Sequence, residues 1–150
     1  MLFCCEKKNK SIDEYLKVSY VKKQEETMSV VLIVEDNEMN VRLFSDLLKS
    51  KGYSILTCTD STKALQMIKD NRPNVVLMDI QMPEISGLEL TKLIRADKSI
   101  CETKIVAVSA FAMDEDIKRI REAGCDDYIS KPIEMNSFFK TVAQYAVPFH

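Results

Sequence analysis

From Val30 onward, short apolar runs alternate with segments whose apolar residues return every three or four positions. The run VVLIV (Val30–Val34) has no polar residue to turn toward water, the pattern of a strand covered on both faces. The segment NEMNVRLFSDLLKSKG that follows places Val41, Phe44, Leu47 and Leu48 on one helical face and ends at Gly52, read as a C-terminal cap. The same unit recurs: strand 54–58 with helix 62–69, strand 75–78 with helix 88–95, strand 105–108 with helix 114–123, and strand 128–130 with helix 136–146. In the fourth helix Asp114, Glu115 and Asp116 fill the first turn, Arg119 and Arg121 lie toward the end, and Gly124 stops it, as the helix dipole favours. The fifth helix carries Phe138, Phe139, Val142 and Tyr145 at helical spacing. A right-handed crossover returns each strand parallel to its neighbour, so this alternation predicts an α/β fold: a doubly wound, five-stranded parallel sheet with five helices over both faces.

Residues 1–27 depart from the pattern. They are rich in Lys and Glu, hold no sustained period beyond a turn around Ile12 to Val18, and end in KKQEET before Met28. The expectation is a disordered extension, with a partner-docking tail and an upstream start codon as the other readings. The folded domain is expected over residues 28–147, with 148–150 as a tail. At 150 residues, 46% of them hydrophobic, the chain holds enough apolar material for one domain with its own core. The 21 basic and 23 acidic residues, net −2, form no basic stripe for direct nucleic-acid binding, and no apolar run reaches the length needed to span a bilayer. Five cysteines without a C-x-x-C pair argue against a disulfide framework or a zinc site and fit a cytoplasmic protein.

In sheets of this kind ligands sit beyond the carboxyl ends of the strands, and the polar residues gather there. Strand one ends in Glu35-Asp36, strand three in Asp79, strand four in Ser109, and strand five leads to Lys131-Pro132. Taken singly, each has an ordinary reading: Asp36 as a helix N-cap, Asp79 as a turn former ahead of Met82-Pro83, Ser109 as a strand-end hydroxyl, Lys131 as a solvated charge. Their occurrence at one edge in four of five strands points to a single pocket. Asp79 is the most telling, because it follows four apolar residues of a covered strand, where an ionised carboxylate is costly unless paired. Carboxylates packed together repel by roughly a few kcal/mol at an effective dielectric of about 20, which a hard divalent cation such as Mg2+ relieves. Lys131 and Ser109 then offer the donors that an incoming phosphoryl group needs.

The phrases VLIVEDN, VVLMDIQMPEISGLEL, IVAVSAFA and GCDDYISKPI together resemble the receiver domain of two-component response regulators, over about residues 29–147. The resemblance implies a flavodoxin-like sheet of strand order 2-1-3-4-5 and a role for each matched residue. Asp79 is the phospho-acceptor; Asp36, Asp79 and the backbone carbonyl of Gln81 hold Mg2+, with Glu35 acting through a water; Lys131 and Ser109 serve the transfer; Ser109 and Tyr128 form the switch. This chain has Glu35 where many members carry Asp. The Lys131-Pro132 bond is expected to be cis. The implied phosphoryl donor is a sensor histidine kinase or a histidine phosphotransfer protein, and the chain is a phosphoryl acceptor that catalyses its own phosphorylation and slow dephosphorylation. VEDNEMNVRLFSDLL, MDIQMPEISGLE and SAFAMDEDIKRIREAGCDDYISKPI resemble the DivK type of single-domain regulators, which implies cell-division and polarity control. With VPFH after Ala146, output is expected through a downstream protein partner, on a face presenting Ile117, Arg121 and Tyr128. Phe111, two residues beyond the switch hydroxyl, is expected to crowd the approach of water to the acceptor, with Gln81 beside it. Among rivals, a haloacid-dehalogenase-like phosphatase calls for D-x-D where position 81 is Gln. A nucleotide- or flavin-binding domain calls for a glycine-rich loop where this chain has Glu35-Asp36-Asn37-Glu38. A pseudo-receiver that binds partners without phosphorylation has no need of all five site residues.

Overall fold

The computed structural model describes residues 29–111 and 113–147, so the extension expected over residues 1–27 and the tail 148–150 lie outside the described residues. Five strand and helix pairs follow in order: β1 (Val30–Val34) and α1 (Glu38–Lys49), β2 (Ser54–Cys58) and α2 (Ser61–Asn71), β3 (Val75–Asp79) and α3 (Gly87–Ala96), β4 (Lys104–Ser109) and α4 (Asp114–Ala123), β5 (Asp127–Ser130) and α5 (Met135–Tyr145). All strand pairs are parallel and the sheet order is β2-β1-β3-β4-β5, as the resemblance implied.

The covered strands carry the fold. Alternate residues point to opposite faces, so Leu32, Val34, Val76, Met78, Ile105 and Ala107 pack beneath α2, α3 and α4 through Ala64, Ile68, Leu90, Ile94 and Ile120. Val31, Ile33, Val75, Leu77, Val106 and Val108 pack on the other face with Phe44 and Leu48 of α1 and Phe138 and Val142 of α5. Helix starts are set by side chains that satisfy otherwise orphaned N–H groups: Asn37 accepts from Met39 and Asn40, Asp60 from Thr62, Ser86 from Glu89, and Glu134 from Asn136 and Ser137. No described helix is long and apolar enough to cross a membrane.

Two helix ends differ from the sequence reading by more than one residue. α1 stops at Lys49 with Ser50 as its cap, and Gly52 lies beyond, at φ 88, where the Tyr53 N–H reaches back to the Leu48 carbonyl. Ser50 keeps a right-handed conformation and donates its hydroxyl to the Leu47 carbonyl, so the chain reverses only at the glycine. α2 runs on to Asn71 because Arg72, at φ 44, takes the left-handed position that closes it. Gly124, at φ 109, caps α4 as expected.

Phe138 is fully buried between α1 and the sheet, with its ring 5.6 Å from that of Phe44, whereas Leu93 on α3 is 48% exposed. Phe138→Ala should therefore cost about 3–5 kcal/mol, and Leu93→Ala less than about 1 kcal/mol, in urea denaturation of the two variants.

Candidate functional site

Strand order reverses between β1 and β3, which leaves a crevice beyond their carboxyl ends. Glu35 follows β1 and is held against β2 by its N–H, which donates to the Cys58 carbonyl at 3.0 Å. Asp79 is the last residue of β3 and is 4% exposed. Asp36 is exposed and does not cap α1, a task taken by Asn37, so its carboxylate is left to the crevice. Carboxylate oxygens of Glu35, Asp36 and Asp79 lie within 4.8 Å of one another. Lys131 reaches this cluster from the far side of β4. Its backbone N–H donates to the Ser109 carbonyl at 2.8 Å, and its ammonium lies 3.2 Å from Glu35 Oε1 and 3.6 Å from Asp79 Oδ1. The Lys131-Pro132 bond is cis, as expected.

The site is under-compensated. Three carboxylates face one ammonium, and two charges at the observed spacing repel by about 3 kcal/mol at an effective dielectric of about 20. Burial first, and then the neighbouring Glu35 carboxyl, push the Asp79 carboxyl up from 3.8 to about 7, against the downward pull of the Gln81 N–H and of Lys131. The Gln81 N–H donates to Asp79 Oδ1 at 3.1 Å. Glu35 is 1% exposed; its Oε1 accepts from Asn40 Nδ2 and Lys131, and its Oε2 has no hydrogen-bond partner among the described residues. Buried, orphaned oxygen beside two further carboxylates is a donor set that suits a hard divalent cation which keeps part of its water shell. The residues present therefore fit Mg2+.

Ser109 is buried at the end of β4, but its hydroxyl does not reach Asp79. It donates to the Phe111 carbonyl at 2.9 Å and accepts the Phe111 N–H at 3.0 Å, a closed two-residue loop. Phe111 is 55% exposed, so its ring stands largely in solvent beside this loop. Tyr128 is half-buried against the core of the α2, α3 and α4 face, Ile117 is half-buried and Arg121 exposed. Two supporting residues escaped the sequence reading. Asn40, in the first turn of α1, holds Glu35, and its place five residues after the acid was the available cue. Gly87 opens α3 directly over the end of β3, where any Cβ would run into the Asp79 carbonyl oxygen, so a side chain there would displace Asp79 itself.

Residues 31–143 match the family model described as the response regulator receiver domain. The chain belongs to this family. It is 46% identical over 115 residues, covering 77% of this chain and 94% of the relative, to the polar-differentiation response regulator DivK of Brucella anthropi. Its fold superposes at a TM-score of 0.73 and 28% identity on the receiver domain of the sensor histidine kinase PA1611 from Pseudomonas aeruginosa, a structure with magnesium coordinated in the active-site cleft, over 79% of this chain and 98% of that one. A TM-score of 0.72 at 27% identity relates it to the receiver domain of Ssk1 in complex with the phosphotransfer protein Ypd1 of Saccharomyces cerevisiae, over 80% of this chain and 90% of that one.

The upward shift of the Asp79 pKa in this receiver domain has a measurable consequence. Unfolded, Asp79 loses its proton near 3.8; folded and metal-free, near 7. Between those values the unfolded chain binds fewer protons, so the metal-free protein should lose stability as pH rises from 4 to 7. Thermal melts in chelator should show that slope, and Asp79→Asn should flatten it and raise the melting temperature at pH 7.5 by about 3 °C or more. Added Mg2+ should restore stability to the unmodified chain and not to the variant.

Proposed function

We propose that this receiver domain takes a phosphoryl group onto Asp79 from a histidine kinase or histidine phosphotransfer protein, in a Mg2+-dependent reaction. The observation that carries this reading is the buried Asp79 carboxylate with Glu35 and Asp36 on one side and the Lys131 ammonium 3.6 Å away on the other. Asp36, Asp79 and the Gln81 carbonyl would hold the ion directly and Glu35 would act through a water. A bound divalent ion supplies the positive charge that lets an anionic phosphoryl group enter an acidic crevice. The chain's own residues do the rest. An Asp79 carboxylate oxygen forms the new bond to phosphorus as the bond to the donor imidazole nitrogen breaks, and the electron pair leaves with the imidazole. Lys131, already within reach of Asp79, stays to balance the charge on the transferred oxygens.

For the Ser109 hydroxyl to reach a phosphoryl group on Asp79 it must leave both Phe111 backbone partners, so modification of the acceptor loosens the β4–α4 loop. The receiving surface is that of Ile117, Arg121 and Tyr128, where a half-buried aromatic ring and an exposed guanidinium suit a modest, reversible protein contact. The name of the Brucella relative, a polar-differentiation response regulator, supports a role in polarity control. The Ypd1 complex supports a phosphotransfer protein as donor.

Incubation with acetyl phosphate and Mg2+ should add one phosphoryl group by intact mass, and the gain should vanish in Asp79→Asn and in chelator. A chain that gains none, or an Asp79→Asn variant that gains as much, would exclude the reading. In Mg2+ titrations Asp36→Asn should weaken binding by at least about tenfold and Glu35→Gln by less, since a direct ligand is lost in the first case and a water's partner in the second.

A further inference from the structure

The acidic cluster occupies the carboxyl ends of the strands. At the opposite end of the sheet lies a half-enclosed cavity of about 560 Å3 that the acceptor chemistry does not use. One wall is the turn after α2, Arg72 and Pro73; the other is the loop between α3 and β4, from Lys98 to Thr103. The walls are tied together before any ligand arrives. Lys69 of α2 pairs with Asp97 at the end of α3 at 2.9 Å. Arg95 donates to the Cys101, Thr103 and Gly124 carbonyls at 2.7, 2.6 and 2.9 Å, which pins the loop to the end of α4. A cavity fixed in this way binds without a large ordering cost.

Its chemistry is divided. Pro73 and Ile100 are buried and give it an apolar floor, while Arg72 and Lys98 are exposed at its mouth with no carboxylate partner among the described residues. Arg72 is there against the preference of the backbone: at φ 44 and ψ 63 it holds a left-handed position that glycine takes without strain. A glycine would close α2 without this strain, so Arg72 brings its guanidinium to the cavity mouth at a cost to folding. Glu102 also lines the cavity and would accept a hydrogen bond from a ligand that carries a donor.

We propose that this cavity binds a small organic anion, with a phosphate or carboxylate head between Arg72 and Lys98 and a flat apolar body over Pro73 and Ile100. The planar fork of Arg72 can engage two oxygens of such a head, and Lys98 adds a second positive charge. The apolar floor contributes only for ligands with a body to bury, so a bare anion and a neutral aromatic each use half of the site.

The test is a titration of the full-length, Mg2+-loaded, isotope-labelled protein with phenyl phosphate, benzoate, inorganic phosphate and benzyl alcohol, followed by amide NMR shifts. Phenyl phosphate or benzoate should shift the amides of residues 72 and 98–103 saturably, with a dissociation constant of roughly 1 mM, and the stronger of the two names the head group. Inorganic phosphate and benzyl alcohol should each bind at least about fivefold more weakly. Arg72→Gly and Lys98→Ala should each weaken phenyl phosphate or benzoate by at least about fivefold, while Arg72→Gly raises the urea midpoint and so proves itself folded. Variants that titrate like the unmodified chain, inorganic phosphate that binds as well as phenyl phosphate, or shifts confined to residues around Lys131 and Asp79 would each overturn the assignment.

Discussion

Like charges crowded together at the end of a buried sheet are the constraint that organises this domain. Glu35, Asp36 and Asp79 share a few ångströms, and Lys131 offsets one of the three charges. The remaining charge of about −2 is what a divalent cation would neutralise. Such a cluster persists only on a scaffold too stiff to relax it. The scaffold here is a parallel sheet with Val31 to Val34 and Val75 to Met78 sealed from solvent on both faces. β1 and β3 are neighbours at the reversal of strand order, so the two acidic strand ends meet. The ladder then extends one residue at a time to fix each partner: Glu35 through the Cys58 carbonyl, Lys131 through the Ser109 carbonyl.

Burial and the Glu35 carboxyl push Asp79 toward its neutral form, while the Gln81 N–H and Lys131 pull it back. On the proposed reading, an Asp79 carboxyl pushed up toward neutrality is a poor nucleophile until a positive charge arrives, so phosphoryl transfer and ion binding would be linked through one side chain. The neighbouring loops show the same tension. Glu84, in the loop after β3, holds a left-handed backbone at φ 67, and Gly87 lets α3 begin against the Asp79 carbonyl. Among the described residues, the strands carry no positive-φ position.

How much of this was legible in the sequence follows from what each feature depends on. Strands β1, β3 and β4 are buried on both faces, so continuous apolar runs announce them, and the one-sided apolar stripes of α1 and α5 announce the helices. Strand ends therefore placed Glu35, Asp36, Asp79 and Lys131 at one edge, and the structure brings those four together. Helix ends were less legible, because a left-handed Arg72 or a Ser50 that bonds the preceding turn has no distinctive composition. The Ser109 hydroxyl, placed correctly along the chain, faces Phe111 because the local turn satisfies it, a geometry that strand and helix periods do not encode. The hold of Asn40 on Glu35 was hidden for a similar reason: an amide in a first helical turn reads as surface until the strand before it is placed.

If charge balance governs the site, the ammonium of Lys131 and a bound cation compete for the same two carboxylates. Calorimetric titration of Mg2+ into the unmodified chain and into Lys131→Ala tests this directly. Removing the ammonium leaves Glu35 and Asp79 with no positive neighbour within 4 Å among the described residues, so the variant should bind Mg2+ several-fold more tightly. Equal or weaker Mg2+ binding by Lys131→Ala would show that Lys131 does not balance the acidic cluster, and would contradict the account.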